Sequence, residues 1–327
     1  MIVDHLDQRT VRSALALAVR APSVHNSQPW RFVIGPSSVH LFADLSRWLP
    51  ATDTDGRDLV VSCGIVLHHL RVALAASGLR ATVRRLPNPE QPDHLAAVSL
   101  RPGAPSEADL GTASAITRRR TDRRRYLSWD VPEGFVQELV ERAADQGALL
   151  RPVRDGHERS LLLAAIRDAA AEQEEDPAYQ AETALWSGRV ADDTGVPVGN
   201  LLRDPLGTGA GTARRFAEGV LEQADERDDD GAALLVLGTA SDDPLSQLRA
   251  GEATSAVLLH ATELGLATCP LSQPLEVRGA RAAVRDAVLG GTLCPQLVLR
   301  VGWAPTGPEL PPTPRRPLEE SIERELA

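Results

Sequence analysis

Two stretches of the 327-residue chain hold enough polar side chains in fixed order to do chemistry. The first is Ala21-Pro22-Ser23-Val24-His25-Asn26-Ser27-Gln28-Pro29-Trp30, in which Ser23, His25, Asn26, Ser27 and Gln28 lie between two prolines. Proline fixes φ and cannot continue a helix, so this loop is constrained. Its donors and acceptors suit a planar, polar ligand, although an ordinary helix-to-strand connection would use the same residues. The second is Arg118-Arg119-Arg120-Thr121-Asp122-Arg123-Arg124-Arg125-Tyr126, with six arginines and a threonine hydroxyl in eight residues. Guanidinium forks clamp phosphate through charge-assisted, bidentate hydrogen bonds. A solvated basic turn, or a nucleic-acid patch without interleaved aromatics, is the plainer alternative.

Several chemistries are excluded by what the chain lacks. It has no lysine, so all 35 basic residues are arginine. A Walker A loop, a pyridoxal-phosphate Schiff base and the usual kinase site each need a lysine. Genomic base composition would produce the same bias. Gly207-Thr208-Gly209-Ala210-Gly211 follows no strand and lacks GxGxxG spacing, which argues against a dinucleotide loop. His157-Glu158-Arg159 does not extend to HExxH, His68-His69 lie on an apolar helix, and no GxSxG elbow occurs, so neither a metal site nor a serine hydrolase is expected. Cys63, Cys269 and Cys294 form no CxxC pair, which argues against disulfides and thiolate metal sites. The net charge of −10 disfavours nucleic acid as a partner. No run of eighteen apolar residues and no secretory leader is seen, so a cytoplasmic protein without a membrane partner is expected.

The elements that must position these stretches follow from periodicity. A helix over 10–20 precedes the first loop, and strands at 30–34 and 39–44 follow it. A long apolar helix spans 56–77, and strands are expected at 80–86 and 95–100. Residues 101–108 read as a linker. A helix over 107–118 leads into the arginine run, another covers 132–146, and a strand covers 148–153. Residues 155–231 differ, with two polar helices, a glycine-rich loop and an acidic patch, and they read as an insertion whose part from about 170 to 231 forms a lid. A strand at 232–238, helices at 245–264 and 275–289, and a strand at 296–301 complete the pattern. The tail from 305 has six prolines and is expected to lie across the surface.

Gly64 and Gly78-Leu79 recur, 187 residues on, as Gly251 and Gly265-Leu266, with similar apolar helix between them. Such a repeat implies two related halves about a pseudo-two-fold axis.

Together with Gly265-Leu266-Ala267-Thr268-Cys269-Pro270-Leu271, Leu299-Arg300-Val301-Gly302 and Thr313-Pro314-Arg315-Arg316-Pro317, the two polar stretches resemble the nitroreductase-like flavoproteins. More narrowly, they resemble the Acg-type branch, in which two nitroreductase halves are fused in one chain. The resemblance spans nearly the whole length. It implies an α+β fold, with mostly antiparallel sheets flanked by helices and two pseudo-symmetric halves that mimic a nitroreductase homodimer. The halves would be 1–105 and 106–327, the second carrying most FMN contacts, the lid and the tail. Arg119, Arg120, Thr121 and Arg123 would take the FMN phosphate and ribitol. Ser23, His25, Asn26 and Gln28 would reach the same flavin from the first half, Pro270 and Leu271 would lie beside the ring, and Arg300 near the phosphate. One FMN per chain is expected, because the first half has no such arginine run. No side chain is expected to be catalytic, since the flavin carries the chemistry. The implied activity passes electrons from NAD(P)H through FMN to a small-molecule acceptor such as a nitroaromatic or quinone. The alternative is a lidded FMN-sequestering protein with little reductase activity. The fused pseudo-dimer would be a monomer or a weak homodimer.

Overall fold

The computed structural model describes residues 7–189, 193–203, 214, 216, 219–222 and 230–323. Helix α1 (Gln8–Ala18) starts where the Asp7 carboxylate accepts the Arg9 amide, an N-cap. The loop Ala21–Pro29 follows it, then the hairpin β1 (Trp30–Ile34) and β2 (Ser38–Ala43). Helix α2 (Arg57–Ala76) leads to β3 (Leu79–Arg85) and β4 (His94–Pro102). Ser106 and Asp109 close a capping box on α3 (Glu107–Arg118), and α4 (Glu133–Ala144) and β5 (Leu149–Pro152) follow. Helices α5 (Gly156–Glu174) and α6 (Pro177–Leu185) precede the short strands β6 (Ser187–Arg189) and β7 (Val196–Pro197). The chain continues through β8 (Ala233–Thr239), α7 (Pro244–Glu263), β9 (Ala267–Leu271), α8 (Gln273–Glu276), α9 (Arg278–Val288) and β10 (Cys294–Gly302). It ends in α10 (Leu318–Ser321) and β11 (Ile322–Glu323).

This is a mixed α+β architecture. Among the described residues one large sheet has the order β11-β1-β2-β4-β3 and the other β5-β8-β10-β9, antiparallel throughout except β11 on β1, and β6 and β7 form a small parallel pair. A single apolar cluster runs from Trp30, Phe32 and Leu41 of the first sheet, through α2 and α7, to Leu235, Leu237 and Leu299 of the second. Alternate residues of β8 and β10, among them Leu234, Val236 and Val298, meet α5 and α9 on the other face. The second sheet is thus buried on both sides, which explains its near-continuous apolar strands. By length and a mean hydropathy of 1.8, α2 would also pass for a membrane span; here most of its apolar side chains are covered by protein.

The two long helices cross at Gly64 and Gly251. A Cβ on Gly64 would stand 2.1 Å from the Leu248 carbonyl oxygen, and one on Gly251 2.1 Å from that of Val61, so only glycine allows this approach. Four residues further along each helix, His68 Nδ1 and Ser255 Oγ are 2.7 Å apart, and His69 Nδ1 shares the same hydroxyl.

One strand was not foreseen, and one expectation is corrected. The 267–271 segment is a strand despite Pro270, because β9 is an edge strand and an edge tolerates a missing N–H. The tail does not merely lie on the surface. Arg316 is buried and donates to the carbonyls of Gln28 and Trp30, and Ile322–Glu323 adds a parallel strand to β1. Residues 207–211 of the glycine-rich loop lie outside the described residues, as does most of the acidic patch.

Candidate functional site

The loop after α1 is held in a costly shape. His25, Asn26 and Gln28 have φ of 45°, 54° and 53°, a left-handed conformation that non-glycine residues adopt at a cost of about 1 kcal/mol or more each. Side chains pin it from several directions. Ser62 Oγ on α2 accepts the Val24 amide at 3.2 Å, and Ser23 Oγ accepts that of Gln28 at 2.9 Å. Asn26 Nδ2 donates to the carbonyls of Gly195 and Pro314, and Gln28 Nε2 to that of Asp193.

This loop forms one wall of a cleft of about 720 Å³, its open mouth included. Pro22, Ser23, Val24 and His25 face Thr121 and Arg123 across it, with Cys269 to Ser272 and Leu297 from the second sheet and Asp58, Val61, Ser62 and Ile65 from α2. The arginine run reaches the cleft because it docks on the free edge of β9. Thr121 bridges Thr268 in parallel, and the Asp122 amide donates to the Thr268 carbonyl at 2.9 Å. Arg214 and Phe216 also line the cleft. Phe216 meets His25 edge-on at 5.3 Å, and the Arg123 guanidinium lies 5.2 Å from the Phe216 ring centre. Both ring nitrogens of His25 are buried without hydrogen-bond partners. Burial, then the charges of Arg214 and Arg123, hold its pKa well below the usual histidine range, so the ring is neutral.

A second, smaller recess lies beside the cleft, lined by Arg20, Ile116, Arg119, Arg120, Pro312, Thr313 and Arg315. Arg119 is buried with its Nε unpartnered, and its NH1 lies 3.4 Å from Thr121 Oγ1. Burial, with Arg120 and Arg20 nearby, pushes Arg119 down to about 10. Burial, with Arg119, Arg20 and Arg120, pushes Arg315 down to about 9. The charges bearing on these two side chains are other arginines. Such a cluster is relieved by an anion.

Of the residues singled out from sequence, Ser23, His25, Thr121, Arg123, Pro270 and Leu271 come together in the cleft, and Arg119 and Arg120 line the recess. Three do not line either cavity. Asn26 and Gln28 spend their side-chain bonds fixing residues 193–195 and the tail: besides the bonds above, Gln28 Oε1 accepts the Arg316 amide at 3.0 Å. Arg300 is turned toward Asp230 at 2.7 Å, the Arg124 carbonyl and the Tyr126 ring. Arg120 mainly caps α3, donating to the carbonyls of Thr117, Arg118 and Arg119. Sequence reasoning missed Asp58, Ser62, Arg214, Phe216 and Arg315. The 58, 61, 62, 65 spacing on α2 is one helical face and could have been read as such.

Relatives of known name match this chain along nearly all of its length. "Putative NAD(P)H nitroreductase Rv3131" of Mycobacterium tuberculosis is 47% identical over 322 residues, covering 97% of this chain and 92% of the relative. "Putative NAD(P)H nitroreductase acg" of the same organism is 40% identical over 318 residues, covering 95% and 94%. The chain belongs to the Acg-type nitroreductase family. No protein-family model matches this nitroreductase-family chain. Among solved structures, the FMN-dependent nitroreductase NfnB from Mycobacterium smegmatis in complex with NADPH is 17% identical, with a TM-score of 0.43 over 66% of this chain and 99% of that one. A nitroreductase with bound FMN from Desulfitobacterium hafniense is 16% identical, with a TM-score of 0.42 over 65% and 97%.

Proposed function

We propose that this protein is an FMN-dependent oxidoreductase that takes electrons from NAD(P)H and passes them to an electron-poor small molecule such as a nitroaromatic or a quinone. The family supports the reaction class, and the names of its relatives support NAD(P)H. The observation that carries the cofactor is the pairing of the polar-walled cleft with a recess of mutually repelling arginines. A phosphate suits the recess, where Arg119 and Arg315 lack a counter-charge, and Thr121 stands between recess and cleft. Ser23, His25, Arg123, Pro270 and Leu271 would flank the ring system. When bound, FMN supplies hydride transfer between a nicotinamide and an acceptor.

The chain's own residues bind, orient and shield. Arg123 puts a cation on the cleft wall, which favours a ligand that gains negative charge on reduction. Neutral His25 leaves that wall without a second positive charge from the loop. The two halves, 1–105 and 106–327, would together imitate a homodimer and build one site per chain. The described residues between 170 and 231 would cover it: Arg123 donates to the Asn200 carbonyl, and Phe216 sits against His25. The test is anaerobic mixing of the purified, yellow protein with NADH or NADPH. Rapid bleaching of the flavin bands is expected, whereas persistent oxidised flavin would favour sequestration.

A further inference from the structure

The α2 wall of the cleft carries a buried carboxyl group that no hydrogen bond holds. Asp58 is 3% exposed and lines the cleft, and neither side-chain oxygen has a hydrogen-bond partner. Its Oδ1 lies 2.7 Å from an Arg57 nitrogen, as an ion pair without hydrogen-bonding alignment. Resting on the oxidoreductase reading above, we propose that Asp58 is the acid that protonates an oxygen of the electron acceptor as the acceptor is reduced.

The charge balance of its surroundings supports a proton there. Asp53, Asp58 and the Glu276 side chain are buried, and they face two buried guanidiniums, Arg57 and Arg214. Arg214 is committed to Glu276 and to the Tyr179 hydroxyl, while Arg57 also donates to the Gln296 carbonyl at 3.1 Å. Asp55 is more than half exposed and lies within 4 Å of Arg281. One buried negative charge is therefore in excess, and a bound proton removes it. Asp53 accepts the amides of Asp58 and Leu59 at 3.0 and 2.8 Å, contacts that favour its anion. Asp58 has no such donors and is the member of the pair that lines the cleft, so it is the one from which a proton can pass to a ligand there. Burial pushes both carboxyls up, Asp53 to about 8 and Asp58 to about 6, with Arg57 opposing and Glu276 reinforcing the shift of Asp58, so the pair shares the proton. An acid of that strength suits proton transfer near neutral pH.

The step balances. By the reading above, the acceptor receives two electrons and one hydrogen as hydride. The Asp58 O–H bond breaks, a new O–H bond forms on the acceptor, and the bonding pair stays on Asp58 as a carboxylate beside Arg57. A quinone plus hydride plus this proton gives the hydroquinone, and a nitro group gives the nitroso group and water. Water entering the open cleft restores the proton between turnovers.

The test uses Asp58→Asn, which removes the excess charge and is therefore expected to fold. Infrared spectra recorded across pH should show, in the unaltered protein, a protonated-carboxyl band that titrates with a midpoint near 6 and is missing from the variant. The flavin-loaded proteins are then reduced with dithionite and mixed with a benzoquinone or a nitroaromatic in a stopped-flow cell. Reoxidation of the variant should be about a hundredfold slower and lose its pH dependence near 6. Asp58→Glu should recover part of the rate. An Asp58→Asn protein that keeps the carboxyl band, or that reoxidises at the unaltered rate and pH profile, overturns the proposal. Protein without flavin, or with flavin that NAD(P)H cannot reduce, contradicts the oxidoreductase reading instead. The infrared titration needs neither and separates the two failures.

Discussion

The crossing of α2 and α7 has two sides, and they are finished differently. Gly64 and Gly251 meet at the crossing, and residues 187 apart in sequence, such as His68 and Ser255, bond across it. On α2, Asp58, Ser62 and Ile65 line the open cleft. On α7, the residue 187 positions after Ile65 is Glu252, fully buried and held by Arg85 at 2.6 and 2.9 Å and by Arg71 at 2.8 Å. Where one helix leaves a cleft, the other is closed by an ion-pair network. The lesson is that two similar apolar helices need not be finished alike: one glutamate and two arginines form an ion-pair network on one, and the other lines a cleft.

The largest expected effect is on the scaffold common to both sides. Gly64→Ala or Gly251→Ala would drive a methyl group into a backbone carbonyl, costing about 3 kcal/mol or more, read as a loss of denaturant stability by circular dichroism. Next is the recess beside the open side. Replacing Arg119 and Arg315 together by alanine should weaken retention of the proposed cofactor about a hundredfold, enough to lose it on gel filtration, with circular dichroism to check the fold because Arg315 also donates to the carbonyls of Val19, Arg20, Ala21, Thr313 and Pro314. Stoichiometric flavin in that variant would remove the phosphate assignment. On the closed side, Glu252→Ile strands Arg71 and Arg85. It should cost about 2 kcal/mol, toward the low end for a broken buried pair because both arginines reach solvent. Flavin content per folded chain should not change; a rise would show that the network alone keeps a second site shut.

The smallest effect is the pH dependence of stability. His25, His68 and His69 are buried with pKa values driven below the usual 6.5 by burial, His68 to about 3. The unfolded chain takes up protons there that the folded chain refuses, so their contribution is present above pH 6.5 and lost below it. Asp53 and Asp58 act the other way. Raised to about 8 and about 6, they keep protons in the folded state that the unfolded state has lost, and their contribution fades as pH rises through those values. Thermal midpoints should peak near pH 6.5, and Asp58→Asn should steepen the rise below pH 6 while leaving the alkaline fall, which belongs to Asp53.

Much of the fold was legible because periodicity and caps agree with burial. The α2 and α7 patterns, ended by Gly78 and Gly265, and the hairpin at Gly35-Pro36 survive almost to the residue. β9 was not legible, since Pro270 reads as a strand breaker unless the strand is known to lie at an edge. β11 was invisible too: two residues carry no period, and their partner β1 lies about 290 positions away. In the site, the cleft residues from both polar stretches could be named because their types and order are unusual. Asn26, Gln28 and Arg300 share those motifs but do not line the cleft, and Asn26 Oδ1 and Arg300 Nε and NH1 are buried without partners. Asp58 escaped notice inside an apolar helix, and Arg315 was seen only as part of the tail motif, with no site role. Their importance comes from neighbours distant in sequence, which local pattern does not report.

The asymmetry of the two sides is tested most directly by flavin stoichiometry. Absorbance of the released cofactor, measured against the protein concentration of the purified chain, should give one FMN per chain, released together by the Arg119 and Arg315 substitutions. Two per chain, or none after reconstitution with excess FMN, would contradict the account.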